Sequence, residues 1–337
     1  MSKSIELFKP GQLKRIIILG MGRQLLTIEK FSKLNNIEIE IFTGQRHKNL
    51  TLDNGKFIVN ELEERGIKTT FCSALQNCEE GPYSTFNENT LVFSFGAPFI
   101  IKQDLIDLYK NRVINSHGAP LPRFRGGGGL SWRFLAGCCI GSVIYHLVTS
   151  GIDDGEIIYQ KNYEFPKETN SINDWLYLLE REEDVALLEF LNFLKNGKSF
   201  FILDQNESQS SYFPRLNSNI NGYINFEWNG DYIERFIKAF SSPYNGALTH
   251  INEQPIKIFN AKFTSDEIYD HPFFNGLLIR IHNNNYYICV SGGILEVPIQ
   301  SIVSSAIIKV GDRFFTPREL LEKSLTQRIV YTPDGLK

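Results

Sequence analysis

The sequence lacks the features that would set it apart from an ordinary globular enzyme. Nowhere does it approach the ~18 uninterrupted apolar residues that a membrane span requires. Its amino terminus, MSKSIELFKPGQLKR, lacks the apolar core of a secretory leader, so the expectation is a soluble, cytoplasmic protein with no membrane partner. Cysteine is sparse: five residues, Cys72, Cys78, Cys138, Cys139 and Cys289, with no C-x-x-C pair and an odd count. That argues against a disulfide framework and suggests buried thiols in a reducing compartment. Excess charge is missing too. With 35 Lys plus Arg against 38 Asp plus Glu, a net charge of -3 supplies no field to gather polyanions, so no nucleic-acid partner is expected. His47, His250, His271 and His282 are scattered, without zinc-site spacing, and no metal is expected. The fingerprint begun by Gly20-Met21-Gly22 lacks its third glycine, for Leu25 stands there. Two turn-forming glycines are inferred, and no nicotinamide cofactor.

What is present is an alternation. Short apolar runs at 15–19, 37–42, 67–71, 90–95 and 112–115 are separated by segments of helical period such as 57–65 and 104–109. Runs of this kind suit strands buried on both faces, and parallel strands need crossovers that cover those faces. The pattern predicts an α/β fold with a Rossmann-like, twisted, mainly parallel sheet. Two further strands, 142–148 and 156–163, flank a long turn. Ser171 then suits the N-cap of a helix reaching about Lys195, with Trp175, Leu179, Ala186, Leu187, Phe190, Leu191 and Leu194 on its apolar stripe. Residues about 204–222 are polar and read as a linker between an N-terminal domain, 1–208, and a C-terminal domain, 209–337. In the latter a short helix, 231–240, precedes strand-like runs at 256–263, 277–282 and 286–290. They predict a smaller, mainly-β domain of OB-like type.

Chemistry concentrates where the fifth run ends. Asn115 and His117 stand two apart and share one side of an extended chain, at the carboxyl edge where open α/β sheets bind ligands. Pro120 and Pro122 stiffen the exit. Downstream, Gly151-Ile152-Asp153-Asp154-Gly155 reads as a sharp loop delivering a carboxylate. His146 lies on the strand before that loop, suited either to the pocket or to a structural role. Cys138 and Cys139 are expected to be buried rather than nucleophilic.

Together these motifs resemble the folate-dependent formyltransferase family of glycinamide ribonucleotide, methionyl-tRNA and sugar-nucleotide formyltransferases. Asn115-Ser116-His117 with its proline-bearing continuation is similar to that family's Asn-x-His segment, and Ile152-Asp153-Asp154-Gly155 to its Leu-Asp-x-Gly. Ala119 stands where the family has a serine. Phe124-Arg125-Gly126 resembles a Tyr-Arg-Gly, and the stretch from Ile224 through Ser242-Pro243-Tyr244 resembles the carboxyl-terminal domain of the methionyl-tRNA and aminoarabinose enzymes. The resemblance runs from about Lys14 to about Lys262. It implies an enzyme with Asn115, His117 and Asp153 as catalytic residues and 10-formyltetrahydrofolate as co-substrate. It further implies a folate pocket formed by Ser94, Phe95, Gly96, Ala97 and Pro98 with Val148, Thr149, Ser150 and Gly151.

Arg125, the glycine run Gly126, Gly127, Gly128 and Gly129, and Trp132 resemble the substrate region of sugar-nucleotide N-formyltransferases. The run opens a helix, where backbone amides suit phosphate. Residues 211–337 carry twelve basic and twelve acidic side chains, not the basic face that tRNA demands. The expected amine is therefore a dTDP- or UDP-linked amino-dideoxy sugar of surface polysaccharide, O-antigen or lipopolysaccharide biosynthesis. The alternatives are methionyl-tRNA as substrate and a non-catalytic Rossmann-like binding module; a homodimer is kept open.

Overall fold

The structure is a computed structural model that describes residues 3–52, 54–78, 80–166, 171–267, 269 and 271–337. Seven strands form its main sheet: β1 (Arg15–Gly20), β2 (Glu38–Thr43), β3 (Thr69–Phe71), β4 (Thr90–Phe95), β5 (Val113–His117), β6 (Ile140–Leu147) and β7 (Ile157–Glu164). Their order is β3-β2-β1-β4-β5-β6-β7; the first five are parallel, and β6 and β7 run antiparallel. The chain turns outward in both directions from the β1–β4 seam, so a crevice opens beyond the carboxyl ends of β1, β4 and β5.

Strand alternation divides the core in two. Ile16, Ile18, Phe93 and Ile114 pack on α1 (Leu25–Asn35) and α5 (Ile172–Lys195). Ile17, Leu19, Val92 and Val113 pack against Leu105 and Tyr109 of α3 (Gln103–Tyr109). Ile16 to Leu19 are wholly buried, as the unbroken apolar run requires, each contributing about 1.5–3 kcal/mol by transfer from water. Between them run α2 (Ile58–Glu64) and, past the sheet's fifth strand, α4 (Gly129–Ala136). The Ser171 hydroxyl caps α5 by accepting from the Asp174 N–H (3.1 Å), and the anticipated stripe is buried except at Leu179, which faces a cavity instead.

After α5 the architecture becomes mainly β. Helix α6 (Gly230–Phe240) leads into β8 (Ala247–Ile251), β9 (Gln254–Ile258), β10 (Lys262–Thr264), β11 (Leu278–His282), β12 (Asn285–Val290), β13 (Gly293–Pro298) and β14 (Ile302–Val303). They form two antiparallel sheets, β8-β9-β14 and β10-β13-β12-β11. Helix α7 (Arg318–Thr326) and a terminal hairpin, β15 (Tyr331–Thr332) and β16 (Gly335–Leu336), complete the chain. This core draws on the first half as well, for Phe134, Phe165 and Trp175 cluster with Ile233, Ile237 and Ile288.

Two expectations meet detail the sequence did not give. The polar segment about 204–222, expected to be an interdomain linker, is laid along the glycine run. Arg125 N–H donates to Ser211 O (3.0 Å), Phe213 N–H to Arg125 O (2.9 Å), and the Trp132 indole N–H to Pro214 O (2.8 Å). A Cβ on Gly126 or Gly128 would lie 2.5 or 2.3 Å from the carbonyls of Phe213 and Pro214, so close backbone packing demands glycine there. The thiols also differ: only Cys289 is fully buried, while Cys72, Cys78, Cys138 and Cys139 are half-buried.

Candidate active site

Three neighbouring strands build the floor of the site. Register places Ser94 of β4 beside Asn115 of β5, and Asn115 beside His146 of β6. The Ser94 hydroxyl donates to Asn115 Oδ1 (2.7 Å), which turns the amide N–H groups toward His146 Nε2 (3.0 Å) and Asp153 Oδ1 (3.3 Å). His117 follows on the same face of β5. Its Nε2 meets the Phe124 carbonyl at 2.7 Å, and a carbonyl only accepts, so the proton sits on Nε2 and Nδ1 faces Asp153 Oδ2 at 3.6 Å. By the same logic His146 donates from Nδ1 to Leu147 O (2.9 Å), leaving Nε2 to accept from Asn115.

The loop after β6 delivers the carboxylate. Asp153 adopts a left-handed backbone (φ 51°), a conformation that costs about 1–3 kcal/mol outside glycine. A Cβ at Gly155 would lie 1.8 Å from the Leu147 carbonyl, so the close backbone approach requires glycine there, whereas one at Gly151 would only displace the Asp154 side chain. Thr149 Oγ1 donates to Asp154, and Gln205 Nε2 donates to the carbonyls of Asp153 (2.8 Å) and Gly155 (2.7 Å). Asp153 Oδ2 accepts from Gly126 N–H at 2.8 Å, and Oδ1 lies 3.5 Å from His146 Nε2.

Burial alone would raise the Asp153 carboxyl, but the neighbouring His117 and His146 rings and the Gly126 N–H outweigh it and hold the group well below the usual carboxylate range. The opposite holds at His117, where burial is the largest influence and lowers the ring, with the Asp153 charge opposing it. An ionised acid thus stands beside a largely neutral imidazole whose Nδ1 lone pair is directed at the site. Such a pair can relay a proton at an attacking or departing nitrogen.

A cavity of about 740 Å³ opens over these groups. Ser94 to Ala97, Asn115, His117, Gly126, Gly127, Gly129, His146, Asp153 and Val148 to Gly151 all line it. Other expected residues do not. Pro98 is buried and outside the lining, which Phe99, Ile100 and Ile101 join instead. The Arg125 guanidinium is turned away, bound to Glu207 and Gln205, and the Trp132 ring packs against Phe213 (5.5 Å). Gly128 lines a second, adjoining cavity. Short-range pattern could not place these side chains, because their partners lie about eighty residues downstream. Gln24, Leu179 and Glu183 also line the main cavity, unanticipated from the sequence. Among the described residues no group of three or more His, Cys, Asp or Glu side chains is arranged to hold a metal ion.

Residues 90–188 match the formyl transferase family model, and residues 218–309 match the model of the formyl transferase C-terminal domain, together more than half of the chain. The chain belongs to the formyltransferase family. A methionyl-tRNA formyltransferase of Blochmanniella floridana is 26% identical over 231 residues, spanning 66% of this chain and 68% of that protein. A second, from Rickettsia bellii, is 24% identical over 83% of this chain and 90% of the relative. Among solved structures, a sugar 3N-formyl transferase crystallised with dTDP and 5-N-formyl-THF superposes with a TM-score of 0.63 at 20% identity, over 88% of this chain and 99% of its own. The N-formyltransferase of Helicobacter canadensis, in complex with folinic acid and dTDP-3-aminofucose, gives 0.65 at 20% identity over 85% and 99%. These likenesses establish the fold. This formyltransferase is accordingly an enzyme, which displaces the reading as a non-catalytic module.

Proposed function

We propose that this formyltransferase moves the formyl group of 10-formyltetrahydrofolate to the primary amine of a nucleotide-linked amino-dideoxy sugar, a step toward surface polysaccharide. The observation that carries the reading is the convergence of Asn115, His117 and Asp153 on one cavity, with the imidazole 3.6 Å from the carboxylate. In this reading residues 1–208 are the catalytic domain and 209–337 the accessory one.

Attack of the neutral amine on the formyl carbon gives a tetrahedral intermediate with an oxyanion and an ammonium. Asn115 is placed to donate to the oxyanion; its longer contact, 3.3 Å to Asp153, is the one a formyl oxygen would take over. A positioned amide of this kind is worth about 3–4 kcal/mol. His117 Nδ1 takes the proton from the new C–N nitrogen, and the N10 nitrogen of the folate gains one as its bond to the formyl carbon breaks. Asp153 stabilises the transient imidazolium. The folate lies against Ser94 to Ala97 and Val148 to Gly151. Ile100 and Ile152, 89% and 57% exposed on the cavity wall, supply an apolar surface that suits its flat rings.

Methionyl-tRNA is the second substrate reading, favoured by the curated relatives. The balanced charge of residues 211–337 speaks against it. Purified protein with 10-formyltetrahydrofolate is expected to release tetrahydrofolate when given dTDP- or UDP-linked amino sugars and to leave methionyl-tRNA untouched; the reverse result would remove the sugar reading.

A further inference from the structure

Two arginines share one aromatic ring at the far side of the glycine run. The guanidinium groups of Arg46 and Arg215 lie 5.5 and 5.3 Å from the centre of the Tyr331 ring, brought there by the terminal hairpin. That hairpin is itself anchored: Arg46 N–H donates to Pro333 O (3.0 Å), and Asn217 Nδ2 to the Tyr331 hydroxyl (3.2 Å). A Cβ on Gly44 would lie 2.3 Å from Pro333 O, so the first half of the chain is shaped to receive the tail. Among the described residues neither guanidinium meets a carboxylate; Arg46 Nε donates to His47 Nε2 (3.1 Å), and Arg215 Nε reaches Gly127 O (3.4 Å).

The electrostatics agree with an uncompensated pair. Arg46 is lowered by burial and then by the charge of Arg215, and His47 is pushed down to about 4 by burial and by both arginines. Juxtaposed cations without a counter-ion raise the free energy of the empty protein, and a dianion relieves it. Planar guanidinium groups suit phosphate oxygens in particular.

Position decides what that dianion belongs to. Arg215, Gly127 and Leu130 line both the 740 Å³ cavity above His117 and the adjoining cavity of about 410 Å³, so Arg215 stands at their junction, while Tyr331 lines the second cavity and Arg46, which lines neither, packs over that ring. We infer that Arg46 and Arg215, held by Tyr331, bind the diphosphate of the nucleotide-linked substrate, with the amine end reaching His117 and the nucleoside entering the second cavity. This rests on the sugar-nucleotide reading and adds to it a site, a direction of binding and a part for the chain's last residues.

Calorimetry of the full chain with dTDP and UDP, with thymidine and uridine as phosphate-free controls, tests it. The wild type is expected to bind at least one diphosphate and neither nucleoside. Arg46→Ala and Arg215→Ala should each weaken that binding about ten- to a hundredfold, as for loss of a charged hydrogen bond, with folate binding unchanged and a melting temperature no lower than that of wild type. Arg215→Lys, which keeps the charge but not the fork, should recover part of the loss and guards against a folding artefact. A double alanine variant that still binds the diphosphate as tightly as wild type overturns the subsite and leaves the sugar reading standing. A wild type that binds neither diphosphate at about 1 mM also overturns it, and if that protein formylates methionyl-tRNA the sugar reading falls with it.

Discussion

At the scale of the residue, the site depends on which atoms are already committed. His117 has its Nε2 engaged by Phe124 O, so only Nδ1 is available for proton transfer, and His117→Asn removes it. The turnover number of that variant should fall about 10²- to 10⁴-fold with folate affinity within about twofold of wild type, and full activity would refute the proposed role. Because burial lowers the His117 ring, the neutral form persists below the ordinary histidine range. A pH profile of kcat/KM should therefore stay level as pH falls through 6.5 and decline only beneath it. Stability carries the same sign: the contribution of His117 is complete above the unfolded value and is lost as pH falls through the lowered folded one. Asn115, His117 and Asp153 could be singled out as candidates because two short motifs, Asn-x-His and Asp-x-Gly, resemble those of the formyltransferase family. Ser94 and His146 became partners of Asn115 only through strand register, a relation between segments that neither sequence motif contains.

At the scale of the element, α5 shows how an apolar stripe can hide a functional wall. Its lower turns fill the core, but Leu179 and Glu183 border the cavity, where Gln24 Nε2 donates to Glu183. Burial pushes the Glu183 carboxyl up to about 8, with Glu180 and Asp184 adding to it and the Gln24 contact opposing. A raised acid contributes stability that is complete below its unfolded value and is lost as pH rises through the folded one, here between about 4.5 and 8. Glu183→Gln should consequently match wild type in thermal melts near pH 4 and exceed it by several degrees at pH 9, the gap opening as pH rises. Equal melting at both pH values would show that the carboxyl ionises without penalty. The helical period announced α5 and its cap correctly, yet period alone cannot tell a core-facing position from one that lines a cavity over the same core.

At the scale of the whole molecule, charge and topology govern what can reach the site. A small nucleotide-linked substrate gathers few counter-ions compared with tRNA, so kcat/KM should change by less than about tenfold between 50 and 200 mM salt; a drop of 10³ or more would point to a polynucleotide. The sequence by itself determined the mainly parallel sheet and the mainly-β second half, which follow from hydrophobic period, and its resemblance to the formyltransferases singled out Asn115, His117 and Asp153 as candidates. Only the tertiary structure decided that the polar segment 204–222 lies along the glycine run, that Arg125 serves Glu207 rather than a ligand, and that the chain's last residues return to Gly44 and Arg46. Each of those joins residues about eighty or more positions apart, and such pairings are selected by the packing of the folded chain, whose energy no local pattern expresses.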